Sequence, residues 1–252
     1  MKPLQIIALM LSLLLIDSLS FALDTKVSGT TPSPRTREYP WMSVETWNRM
    51  HAEDVEVAKN GDVDLLFIGD SITAGWNRNI WQKTFSQYRP ANFGIGGDHT
   101  GNVLWRLEHG DKGKLKPKVV VLLIGVNNFG HLNETPQQVF EGVKKVVKRI
   151  RKNYPSAKIL VNAIFPFEAS PSSPKRLLVK ETNSLISKLD DNKYIFVKDY
   201  GPLFLHENGN LSKELMGDFL HPSYKGYQIW ADAMLPDIQQ LMAKHKSNWF
   251  SR

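Results

Sequence analysis

Apolar positions divide the chain from Trp41 onward into strand-like and helix-like stretches that alternate. "VDLLFI" (Val63–Ile68) is a continuous apolar run, the pattern of a strand covered on both faces. Similar signals predict strands over Pro90–Ile95, Lys118–Gly125, Lys158–Phe165 and Lys193–Tyr200, with "KVVVLLIG" (Lys118–Gly125) the strongest. Between them the period changes. Val139, Phe140, Val143, Val146, Val147 and Ile150 recur at threes and fours and make one buried stripe of a helix. Thr135 suits its N-cap, Pro136 its first turn and Gln138 the reciprocal position of a capping box. Further helices are expected over Trp41–Lys59, Thr100–Leu107, Lys175–Leu189 and Ser223–Lys244. Buried strands alternating with amphipathic helices predict a single α/β domain, a parallel sheet with helices on both faces. Ligands of such sheets bind beyond the carboxyl ends of the strands, so the residues just after each strand are where chemistry is expected.

The first residues have another pattern. "MKPLQIIALMLSLLLIDSLSFA" carries Lys2, then an apolar run from Ile6 to Ile16, and ends in Ser20-Phe21-Ala22 with small-x-small spacing. The run is too short for a stable membrane span, which takes about 20 apolar residues. Residues 1–22 are therefore expected to be a cleaved export signal and the protein to be secreted or periplasmic. Residues 23–40, rich in Pro, Ser and Thr, are expected to be a flexible lead-in, and 41–252 the functional domain.

Composition narrows the chemistry. There is no cysteine, which excludes a thiol nucleophile and any cysteine-based zinc site. The formal net charge is +7, and the leader's one Lys and one Asp leave it unchanged on removal. The basic residues cluster at Asp111–Lys118 and Lys144–Lys152. The second cluster lies on a helix whose apolar positions fall elsewhere, so a solvated face explains it, with association with an anionic surface or polysaccharide as the alternative. No nucleic-acid module is visible, and no aromatics interleave with these lysines, so nucleic acid is not an expected partner.

The strand ends carry the candidate chemistry. Gly69-Asp70-Ser71 follows the first strand, "NFGIGGDHTGN" the second and "GVNNFG" the third, and "GDFLHPSYKGY" precedes the last helix. A serine hydroxyl needs a base within hydrogen-bond reach to act as a nucleophile. His221 can be that base, and Asp218, three residues earlier, can hold the imidazole in the right tautomer. The N–H groups of Gly97 and Ser71 and the Asn127 amide can face a developing oxyanion. Each piece also has a plainer reading. Ser71 could cap the next helix, the glycines could serve a tight turn, Asn127 could satisfy a loop, and Asp218 with His221 could be a surface ion pair or part of a metal site lacking further ligands. His99, beside the glycine loop, reads as a solvent residue rather than a member of the site. The conjunction in chain order favours an acyl-transfer site.

"FIGDSIT", "NFGIGGDHTGNVLWRL", "VLLIGVNN" and "DFLHP" resemble the four signature blocks of the GDSL/SGNH hydrolase superfamily, and most closely the branch of the platelet-activating-factor acetylhydrolase Ib catalytic subunits, which shares Trp41-Met42-Ser43. The resemblance spans most of the chain after Trp41. It implies a flavodoxin-like three-layer α/β/α fold with five parallel strands, Ser71 as nucleophile, Asp218 and His221 as acid and base, and Ser71, Gly97 and Asn127 as the oxyanion hole. Asn128 would shape the loop. No metal or organic cofactor is implied. The expected activity is hydrolysis of short-chain, chiefly acetyl, esters. An acetylated carbohydrate or a lipid would be the substrate, and a homodimer is left open. A non-catalytic binding module on the same scaffold and a flavodoxin-like cofactor binder are the alternatives; both Ser71 and His221 are present, and no phosphate loop rich in Ser and Thr follows the first strand.

Overall fold

The computed structural model describes residues 27–247, so the expected leader over 1–22 lies outside the described residues. Five strands form one sheet: β1 (Leu65–Gly69), β2 (Pro90–Gly94), β3 (Val119–Leu123), β4 (Lys158–Asn162) and β5 (Ile195–Lys198). All neighbours pair in parallel in the order β2-β1-β3-β4-β5. Every residue of β1, β3 and β4 is buried, which is why these strands read as unbroken apolar runs. β5 is only half-buried at the sheet's edge, and it is shorter than the run predicted over Lys193–Tyr200.

The helices are α1 (Val44–Asn60), α2 (Ser71–Ala74), α3 (Arg78–Phe85), α4 (Thr100–Glu108), α5 (Val126–Leu132), α6 (Pro136–Asn153), α7 (Pro174–Ile186) and α8 (Tyr224–Ser247). They flank the sheet in three layers, α4, α6 and α7 packing side by side while α8 packs against α3 and over β3 and β4. The stripe expected on α6 is buried at Val139, Val143, Val146, Val147 and Ile150, and Thr135 and Gln138 form the capping box. Trp230 of α8 stacks on Trp76 at 4.5 Å between ring centroids and donates from Nε1 to Asn162 Oδ1 at 3.1 Å, which fastens this helix to β4.

The strand order has one physical consequence for function. From β1 the chain moves to β2 on one side and then returns to β3 on the other, so a crevice opens beyond the carboxyl ends of β1 and β3. Ser71 lies two residues after β1 and Asn127 four after β3, which puts both at this switch point.

The stretch 27–40, read from its composition as a flexible lead-in, makes specific contacts with the domain. Gly29 N donates to Glu134 at 2.7 Å, Thr100 Oγ1 donates to the Gly29 carbonyl at 2.7 Å, and Asn102 Nδ2 donates to the Ser33 carbonyl at 3.0 Å. Composition registers the Pro, Ser and Thr here but not the partners that distant residues provide for the backbone.

Candidate active site

The chain leaves β1 through Gly69 and Asp70 and turns at once into α2. Asp70, not Ser71, is the N-cap, its Oδ1 accepting from Ile72 N at 3.0 Å. The capping role open to Ser71 is therefore taken by its neighbour, and the serine stands as the first residue of the helix with its side chain available. Ser71 Oγ is 2.8 Å from His221 Nε2, across 150 residues of sequence. His221 Nδ1 is in turn 2.7 Å from Asp218 Oδ2. The other carboxylate oxygen, Oδ1, accepts from the backbone N–H groups of Leu220 at 3.0 Å and His221 at 2.8 Å, so the D-x-x-H turn closes on itself and aims the carboxylate at the ring. Partial burial raises the Asp218 pKa, but the hydrogen bonds from the His221 ring and from those two N–H groups outweigh it and hold the carboxyl below its ordinary value. An ionised Asp218 accepting at Nδ1 assigns the ring proton to Nδ1 and leaves Nε2 free to accept from Ser71.

The loop after β2 lies alongside. A Cβ on Gly96 would stand 4.0 Å from Ser71 Cβ, so the two loops are in contact. Gly97 has φ +74°, and a Cβ there would come within 2.4 Å of the Trp41 ring; only glycine meets both demands. Asn127, 8% exposed, donates from Nδ2 to the Asp98 carbonyl at 2.9 Å, which orients the amide beside the same loop. Its second N–H is open to a bound group. Replacing Asn127 by Ala is expected to lower kcat for an acetyl ester about a hundredfold with little change in KM, the usual loss for one oxyanion donor, and steady-state kinetics reads the split.

What holds the glycine loop is a buried ionic cluster that the sequence reading missed. Asp98 is fully buried and accepts from Trp47 Nε1 at 2.6 Å, Arg106 Nε at 2.9 Å and Arg35 Nη2 at 3.1 Å. Arg35 Nη2 also donates to the Gly96 carbonyl at 2.7 Å, and Arg106 Nη2 to the Phe93 carbonyl at 2.9 Å. Arg106 meets Asp111 at 2.8 Å and Asp54 at 3.3 Å through Nη1. Burial lowers the Arg106 pKa, but the Asp111, Asp98 and Asp54 carboxylates more than reverse this and keep it charged. Burial pushes the Asp54 carboxyl up to about 8, against the pull of Arg106.

His99, expected in solvent, is buried and caps α4, its Nδ1 accepting from Gly101 N at 3.1 Å. The reason is local: it sits where the chain turns from the glycine loop into the helix. Asn128, expected to shape a loop, lies within α5 and ties it to α4, donating to Thr100 Oγ1 at 2.7 Å and to Glu134 at 2.8 Å. On the other side, a groove of about 510 Å³ is lined by Asn127, His131, Phe167, Lys175, Asp218 and Phe219, among others. Two non-glycine residues with left-handed backbone meet at its edge: Glu168 (φ +67°) donates from its N–H to the carbonyl of Phe219 (φ +58°) at 3.0 Å. Such conformations cost about 1–3 kcal/mol each and persist where surrounding structure holds them. Among the described residues no group of three His, Asp or Glu side chains is placed to hold a metal ion, and no helix is long and apolar enough to cross a membrane.

Asp70 gives a pH-dependent test of the strand-to-helix turn. Burial pushes its carboxyl up to about 7, and Oδ2 has no hydrogen-bond partner. The folded state then binds a proton that the unfolded chain releases near pH 4, so this residue costs stability progressively as pH rises from about 4 to 7. Asp70→Asn keeps the capping oxygen and removes the charge. It is expected to raise the melting temperature by a few degrees at pH 8 and by much less at pH 5, measured by thermal unfolding; an equal shift at both pH values contradicts the assignment.

The fold, with this site at its carboxyl edge, is that of a carboxylic ester hydrolase. Residues 67–229 match the profile of the GDSL-like Lipase/Acylhydrolase family, and the chain belongs to that family. Its curated relatives include the platelet-activating factor acetylhydrolase IB subunit alpha1 of Rattus norvegicus, 33% identical over 223 residues that cover 86% of this chain and 94% of the relative. The alpha2 subunit of Gallus gallus is 34% identical, covering 79% and 86%. Among solved structures, a GDSL-like lipase from Bacteroides thetaiotaomicron superimposes with TM-score 0.62 at 22% identity, covering 78% of this chain and 97% of the other. The acetylxylan esterase Axe2 from Geobacillus stearothermophilus gives TM-score 0.56 at 21% identity, with 71% and 96% covered. The likeness of these two structures extends to the fold.

Proposed function

We propose that the chain is an exported serine esterase that removes short acyl groups, chiefly acetyl, from an alcohol. The observation that carries this reading is the relay of 2.8 Å and 2.7 Å contacts from Ser71 Oγ through His221 to Asp218. In the proposed sequence Ser71 Oγ attacks the ester carbonyl as its proton passes to His221 Nε2. The oxyanion is met by the N–H groups of Ser71 and Gly97 and by the Asn127 amide. Collapse of the tetrahedral intermediate expels the alcohol, which takes the proton from His221. Water, deprotonated by the same imidazole, then releases the carboxylate and restores Ser71. Asp218 stays ionised throughout and stabilises the imidazolium.

The acetyl preference rests on family kinship. The relatives named above include acetylhydrolase subunits, and an acetylxylan esterase shares the fold. A lipid acetylhydrolase is the competing reading, favoured by those relatives' name. A specific feature favours an acetylated carbohydrate: Trp41, 56% exposed, reaches the edge of the oxyanion loop and stacks on Tyr39 at 4.8 Å, offering an aromatic face beside the reacting carbonyl. Arg35 and Arg37 lie over the same Tyr39 ring at 5.3 Å and 5.2 Å, a charge environment that disfavours a cationic leaving group.

The test is a chain-length series of p-nitrophenyl esters, followed by acetate release from acetylated xylan and from an acetylated phospholipid. The expected result is highest kcat/KM for acetate, a steep fall by hexanoate and release from the glycan. No turnover of any ester would overturn the esterase reading, and release from the lipid alone would overturn the carbohydrate preference. Export is tested by N-terminal sequencing of protein recovered outside the producing cell, with Ala22 expected as the residue before the cut.

A further inference from the structure

A second cavity, of about 320 Å³, shares His131 with the groove. Its walls come from the 27–40 segment, from the start of α4 and from the end of α5. Arg35, Arg37, His99 and His131 line it, and no Asp or Glu is among its lining residues. We infer that this cavity binds an anionic group, a carboxylate or a phosphate, carried by the substrate.

Three features carry the inference. Arg35 is only 5% exposed; its Nη2 is committed to Gly96 and Asp98, while its buried Nη1 has no hydrogen-bond partner. A buried guanidinium nitrogen without an acceptor is costly, and negative charge in the adjoining cavity would offset the uncompensated positive end of this side chain. His99 accepts from Gly101 N at Nδ1, so the ring's proton sits on Nε2, which makes that nitrogen a donor. Burial, then the nearby Arg35, keeps this ring neutral, with its pKa lowered to about 4, so it is fixed as a one-proton donor at any physiological pH. Arg37 is exposed at the rim and adds a second full positive charge with no carboxylate to neutralise it within the cavity.

Position links the cavity to the reaction. His131 lines both this cavity and the groove beside Asn127 and Asp218, and Tyr39 Oη sits 3.0 Å from its Nδ1. An anionic substituent would thus be held one side chain away from the scissile ester. The acetylated substrate would be an acidic one, a uronic acid or a phosphorylated sugar, in keeping with the chain's net charge of +7. The binding site stands on its own geometry; its part in choosing the substrate rests on the esterase reading.

Two measurements on the full mature chain test this. Calorimetric titration with glucuronate, inorganic phosphate and neutral glucose should show saturable binding of an anion but not of glucose. The same binding is expected in Ser71→Ala, and about tenfold weaker binding in Arg37→Gln. The tighter of the two anions identifies the source of the charge. Failure of both anions to bind, equal binding of glucose, or indifference to Arg37→Gln would overturn the site. In the kinetic arm, the ratio of kcat/KM for an acetylated uronoside to that for the matching neutral glycoside should fall about tenfold in Arg37→Gln. An unchanged ratio removes the substrate role. Anion binding without turnover of any ester, p-nitrophenyl acetate included, would overturn the esterase reading and leave the anion site standing.

Discussion

Ser71→Ala is expected to lower kcat/KM for p-nitrophenyl acetate by at least about a thousandfold while leaving the melting temperature within a degree or two of the parent. The two halves of this result come from the same observation. Asp70 supplies the N-cap of α2, so the serine hydroxyl bonds no helix terminus, and its recorded side-chain partner is His221. Removing Oγ takes away the hydroxyl that faces His221 and no part of the fold. A serine that served as a cap would show the opposite pattern, about 1 kcal/mol of lost stability with activity retained. Retained turnover, or a large fall in stability, would sink the nucleophile assignment. The residual rate, if the oxyanion donors survive, should still exceed that of the uncatalysed reaction.

Asp98→Ala should produce the largest loss of stability, about 3–5 kcal/mol, with a melting temperature lower by on the order of 10 °C. Asp98 is fully buried and accepts from Trp47, Arg106 and Arg35. Alanine would leave Arg35 Nη2 with the Gly96 carbonyl alone and Arg106 with Asp111 and Asp54 as its remaining carboxylates. The glycine loop bearing Gly97 would lose its anchor, so kcat should fall more than thermal stability explains at a temperature where the variant is folded. Asp98→Asn, which keeps two acceptor sites on one oxygen, should recover part of both losses. A melting temperature within about 2 °C of the parent for Asp98→Ala would show that the cluster does not hold the loop.

The strands were legible because a buried parallel strand needs an unbroken apolar run, and β1, β3 and β4 satisfy that locally. α6 was legible for a related reason, since its stripe and its capping box are both written within eighteen residues. α5 was not. Its sequence VNNFGHL is poor in helix formers, and the helix is held from outside, by Thr100 and Glu134 through Asn128. α3 escaped notice because its eight residues are too few for the period to declare itself, though Asn77 caps it from 2.9 Å. The candidate site was legible as residue types in chain order at strand ends. The supports of the site were not: Arg106 looks like any basic residue near a helix end, yet it is buried completely.

By itself, then, the sequence determined the sheet, the three-layer class and the identity of the residues offered at its carboxyl edge. Burial on both faces and helical periodicity are properties of neighbouring positions, and they leave a local imprint. Tertiary structure alone decided the pairings: that His221 stands 2.8 Å from Ser71 across 150 residues, that Asp70 rather than Ser71 caps α2, and that Arg35 from the lead-in reaches the glycine loop after β2. Whether a charged side chain faces water or a buried counter-charge depends on what the rest of the chain brings beside it, and no local pattern records that.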